Sequence, residues 1–160
     1  KQDIREAIGP VYAGLEEAKA DVVGMYALKF LIDKGVLPKE REQEYYASYV
    51  AGIFRTVRFG VGEAHGRAEM MEFNYLSEQK AITRDSATGR YAIDYAKMPA
   101  AVESLAKELL EQEATGDRAR AEAWFKKYDA MADELKATLQ KAAAVPVDID
   151  PVFSFADRVK

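Results

Sequence analysis

The stretch Gly14-Leu15-Glu16-Glu17-Ala18-Lys19-Ala20-Asp21-Val22-Val23-Gly24-Met25-Tyr26 lies in a run of helical character from about Val11 to Lys34. Beyond Lys19 the run is apolar on nearly every side, through Val22, Val23, Met25, Tyr26, Ala27, Leu28, Phe30, Leu31 and Ile32. A helix that is apolar all round belongs in a core, so this one is expected to organise the fold. Glu17 and Asp21 are four residues apart and stack on one of its faces. Like charges at that spacing repel, and burying them unpaired costs several kcal/mol. They call for a compensating metal, a cation, or a histidine from elsewhere. Two acids on a helix also commonly mark a solvated face, and an ion pair with Arg55 or Arg58 would satisfy them without any metal.

Before this helix, Gly9-Pro10 resets the chain, with Pro10 suited to a first helical turn. After it, Asp33-Lys34-Gly35-Val36 forms a stop in which Gly35 takes the left-handed cap position. Pro38 opens a second helix, Lys39 to about Phe59, whose stripe Tyr46, Val50, Ile53 and Val57 has helical spacing. Gly60-Val61-Gly62 breaks it, and a third helix runs from about Glu63 to Lys80 through His65, Met71, Tyr75 and Leu76. Two β-prone runs on either side of Asp85-Ser86-Ala87-Thr88-Gly89 read as a hairpin. A fourth helix is expected from about Pro99 to Thr115. A fifth follows from an Asp117 cap through Trp124, Phe125 and Tyr128. A sixth, from about Met131 to Ala143, is separate from the fifth or continuous with it. The tail Val145-Pro146-Val147-Asp148-Ile149-Asp150-Pro151-Val152-Phe153 should be extended and packed on the body. The expected fold is mainly α: a single domain, 1–160, of about five to six helices with one small hairpin (81–94) and an extended C-terminal tail.

The chain's 160 residues, 49% hydrophobic and 31% charged, suit one domain with a real core. A net charge of −4 argues against a nucleic-acid surface, which carries a basic patch or stripe. There is no cysteine, hence no disulfide framework. No apolar run reaches the roughly 18 residues of a membrane span. No membrane or nucleic-acid partner is expected, and the cytoplasm is the expected location.

Glu16-Glu17-Ala18-Lys19-Ala20-Asp21 resembles the E-E-x-[RK]-A-[DE] motif of the dipeptidyl peptidase III family of zinc metallopeptidases. The fit is to a bacterial and plant branch often fused to a Nudix domain. The resemblance implies that Glu17 is a zinc ligand, and that Glu16 and Asp21 hold two zinc histidines, a sensible use of acids around a metal. In the family those histidines come from an upstream H-E-x-x-[GS]-H motif, whose Glu is the general base. Arg58-Phe59-Gly60, Glu63-Ala64-His65-Gly66 and Phe73-Asn74-Tyr75-Leu76 resemble the same branch in order and spacing. They imply that His65 lies in the cleft and steadies the transition-state oxygen. An imidazole can do so neutral or protonated. The well-studied branch has Arg four residues after this His, where this chain has Glu69, so no such role carries over. Arg55, Arg58 and Arg67 are candidates for binding a peptide carboxylate, or equally for local ion pairs.

Read without the resemblance, His65 is a lone helix histidine satisfied by Glu69 one turn away, or half of an i,i+4 metal pair with it. Tyr45, Tyr46, Tyr49 and Phe54 read as core. His65 is the chain's one histidine, and no H-E-x-x-H pattern occurs. Glu17 alone cannot hold a catalytic zinc, which takes three protein ligands plus water. The chain is therefore expected to be the C-terminal part of a larger zinc metallopeptidase and inactive alone. Its partners would be the upstream segment bearing the zinc histidines and a peptide or other small substrate. The competing expectation is a non-catalytic helical scaffold with a structural acid–arginine network.

Overall fold

The computed structural model describes residues 2–146. A short helix α1 (Ile4–Ile8) and a 3-10 turn at Gly9–Val11 lead into α2 (Tyr12–Asp33). Then come α3 (Glu42–Val57), α4 (Ala64–Glu78), strands β1 (Ile82–Arg84) and β2 (Tyr91–Ile93), α5 (Met98–Thr115), α6 (Arg118–Tyr128) and α7 (Asp133–Lys141). The mainly helical fold expected from the sequence is the observed one. The last two helices are separate, parted after Tyr128, with Asp133 opening α7. The expectation for the tail from Val147 onward lies outside the described residues.

Helix α4 is central, packed against α2, α3, α5, α6 and β1. Its buried Ala68, Met70, Met71 and Leu76 join Leu15, Ala18 and Val22 of α2, the expected stripe Tyr46, Val50, Ile53 and Val57 of α3, and Val102, Leu105 and Leu109 of α5 in one core. Asp117 caps α6 by accepting the Arg120 N–H, as its side-chain chemistry predicts. The antiparallel hairpin pairs Ile82 with Ile93 and Arg84 with Tyr91. Its turn is held by Asp85 Oδ1, which accepts the N–H groups of Ala87 and Thr88, both at 2.8 Å. Tyr91 then meets the rings of Phe54 and Phe73, fastening the hairpin to α3 and α4.

The second half of α2 departs from the sequence expectation. Val22 and Ile32 are buried, but Tyr26 is 44% and Phe30 59% exposed, and Val36 just beyond the helix is 67% exposed. The cover that an all-round apolar helix calls for is not found among the described residues. Asp21 is also exposed rather than enclosed by apolar neighbours, so the burial cost foreseen for the two acids is reduced. No helix of the described residues is long and apolar enough to cross a membrane.

Candidate functional site

Glu16 and Glu17 are consecutive on α2, so their side chains leave the helix about 100° apart. Glu17 faces α4, and its Oε2 lies 3.0 Å from Nε2 of His65. The side chains are 37% and 65% exposed respectively, so the pair sits at the surface. Packing brings these two residues together from helices that begin 52 positions apart in sequence (Tyr12 against Ala64). His65 does not rely on Glu69, its neighbour one turn on; Glu69 instead accepts the Thr56 hydroxyl at 3.1 Å.

His65 stands in the first turn of α4, and the glycine after it has a steric reason. A Cβ on Gly66 would overlap the carbonyl oxygen of Gly60, where the α3–α4 connection crosses the new helix. Gly60 itself has φ +100°, a conformation that favours glycine. The Glu-Ala-His-Gly segment is thus a tight helix entry with the imidazole on its rim. Asn74 is likewise structural. Its Nδ2 donates to the carbonyls of Tyr128 at 2.6 Å and Ala130 at 2.8 Å, pinning the chain that leaves α6.

Glu16 faces α5. Its Oε1 accepts from Lys19 Nζ at 2.7 Å, and the same ammonium donates to Glu113 Oε2 at 3.0 Å. The Lys19 bond holds the Glu16 carboxyl below the usual range, whereas burial raises that of Glu113. Burial draws the Lys19 ammonium down, but the two carboxylates more than offset it. Together Glu16 and Glu17, with Arg5, Tyr12 and Ala13, line a pocket of about 450 Å³ at the start of α2.

A column of acids runs below the Glu17–His65 pair. Asp21 is exposed, yet its surroundings desolvate it enough to raise its carboxyl; Glu17 adds to the rise and His65 opposes it. Burial pushes Glu69 up to about 6. One turn deeper Glu72 is fully buried, accepts the Tyr49 hydroxyl at 2.7 Å, and is held well above the carboxylate range by burial. Sequence reasoning passes over Glu72, Tyr12 and Glu113. The i,i+4 spacing of Tyr12 to Glu16 is a usable signal; Glu113 and Glu72 are single acids in helical patterns and give none.

The arginines are placed differently from one another. Arg67 is committed to Asp129 Oδ2 through Nε and Nη2, at 3.2 and 2.8 Å. Arg58 donates to the carbonyl of Val145 at 3.0 Å. Arg55 is exposed and forms no side-chain hydrogen bond or ion pair among the described residues. Neither Arg55 nor Arg58 bonds to Glu17 or Asp21 there. No cluster of three or more His, Cys, Asp or Glu side chains suited to a metal occurs among the described residues. Glu17 nevertheless fits as a single metal ligand. Its partner is an exposed imidazole, whereas the acids of the neighbouring networks, Glu16, Glu113, Glu108 and Asp129, are tied to Lys or Arg.

No family model matches the chain. Its fold, however, superimposes over 98% of its length on dipeptidyl peptidase III of Caldithrix abyssi, with a TM-score of 0.93 and 36% identity. Over nearly its whole length the chain is similar to one part of dipeptidyl peptidase III. Dipeptidyl peptidase III of Corallococcus sp. strain EGB matches it at a TM-score of 0.89, with 36% identity over 98% of the chain. Nudix hydrolase 3 of Arabidopsis thaliana is 42% identical over 157 residues, 96% of this chain. The chain spans 20% of that plant protein and 30% and 29% of the two solved chains.

Proposed function

We propose that this chain is the C-terminal portion of a dipeptidyl peptidase III-like, zinc-dependent peptidase that releases short peptides. The observation that carries the reading is the meeting of Glu17 and His65 at 3.0 Å on one exposed face. Glu17 is the zinc ligand contributed by this chain, and a further part of the full-length protein supplies the two histidines and the general base. Bound zinc supplies Lewis acidity toward a scissile carbonyl and toward water.

The residues of this chain have distinct roles in that chemistry. Glu17 presents its carboxylate from a helix anchored by Leu15 and Ala18, both fully buried, so its position is rigid. His65 donates a hydrogen bond to the oxygen on which negative charge develops. The Glu17 carboxylate that His65 now faces would be taken up by the metal it holds, leaving the imidazole Nε2 available to donate. Glu16 and Asp21 hold the histidines of the zinc site. Arg55 is the arginine best placed to take a peptide carboxylate, because Arg67 and Arg58 are otherwise engaged.

Hydrolysis of dipeptidyl naphthylamides by the full-length protein tests this. His65→Ala should lower kcat by about 10²–10³-fold while leaving zinc content unchanged. A full-length protein without zinc-dependent cleavage favours the scaffold reading. Strong cleavage by the isolated 160-residue chain overturns the division of the site.

A further inference from the structure

The bridge from Lys19 is larger than a tie between helices requires. Lys19 and Glu113 alone would join α2 to α5, at 3.0 Å and with side chains only 24% and 16% exposed. Yet the ammonium also holds Glu16, three residues back on its own helix, at 2.7 Å. That contact lies within α2. It fixes the rotamer of a carboxylate that lines the pocket beside Glu17. A free glutamate there would sample several rotamers, and an ordered one must be held by its neighbours.

We propose that Lys19, braced by Glu113, is a positioning residue that orients the Glu16 carboxylate at the rim of the Glu17 pocket and thereby sets the affinity of the full-length protein for zinc. The inference rests on the proposed roles of Glu17 as zinc ligand and of Glu16 in holding a zinc histidine. Lys19 touches neither metal nor substrate; it acts through Glu16. Groups that orient the ligands of a metal are worth about 10–100-fold in metal affinity, and a residue acting only through such a group inherits its effect.

The test is chelator competition for zinc by the full-length protein, with Lys19→Met, Glu16→Gln and the double variant. Lys19→Met should weaken zinc binding by about 10-fold or more and add nothing in the Glu16→Gln background. Lys19→Arg, which keeps the charge and the donors, should restore affinity. Glu113→Gln serves where Lys19→Met fails to fold, with a smaller loss that again vanishes beside Glu16→Gln. Zinc affinity indifferent to Lys19→Met, or reduced equally in both backgrounds, overturns the proposal and leaves the Glu17 reading standing. Zinc binding absent from the wild type, or unaffected by Glu17→Ala, overturns both.

Discussion

Glu17 Oε2 lies 3.0 Å from His65 Nε2, a contact between the acidic motif of α2 and the histidine motif of α4. Both side chains are exposed enough for water to screen the pair, so its value to the fold is small. Urea unfolding of the chain should show Glu17→Gln and His65→Ala each costing no more than about 1 kcal/mol. A much larger loss would assign the pair to the scaffold rather than to chemistry.

Gly66 and Gly24 are expected to respond oppositely to the same substitution. A Cβ on Gly66 would run into the backbone carbonyl of Gly60, which cannot swing away as a side chain could. Gly66→Ala should destabilise by about 2 kcal/mol or more and disorder the turn that presents His65. A Cβ on Gly24 meets nothing within 4 Å. Gly24→Ala, in the middle of α2, should stabilise by about 1 kcal/mol. Thermal melts of the two variants check both signs.

Tyr49 donates to the fully buried Glu72, and Oε1 of that carboxyl has no partner among the described residues. Tyr49→Phe removes the one donor seen at Glu72 and should cost about 1–3 kcal/mol. Glu72→Gln, which keeps the shape and cannot ionise, should be tolerated far better at neutral pH. Denaturant titrations at pH 7 separate the two.

Glu69 gives a pH dependence of definite sign. Its folded value, pushed up to about 6 from an ordinary 4.5, means the folded state binds the proton more tightly than the unfolded state. Stability from this group is therefore lost as pH rises through the interval from 4.5 to about 6, and the loss is complete above it. Glu69→Gln should gain on the wild type across that window and hold a constant advantage beyond it. The half-open site limits its size. Stability difference against pH is the measurement; a flat difference would place Glu69 in solvent.

Helix positions are legible in the sequence because the stripe Tyr46, Val50, Ile53 and Val57 and the breakers at Gly9, Gly35 and Gly60 have local meaning. The site is legible only through motif resemblance, since nothing local to Glu17 says that His65 will face it. The second half of α2 misleads for a physical reason. Apolar composition reports that a surface is covered somewhere in the working protein, and Tyr26, Phe30 and Val36 find no cover among the described residues. The same composition makes Asp21 look buried. Glu72, the acid that is buried, escapes notice because its shelter comes from packing with α3, which periodicity does not reveal.

The zinc content of the purified full-length protein, wild type beside Glu17→Ala, tests the central claim most directly. The expected result is about one zinc per chain in the wild type, lost in Glu17→Ala with the fold intact. A wild type free of zinc, or a Glu17→Ala variant that keeps it undiminished, would contradict the assignment of Glu17 as the ligand this chain contributes.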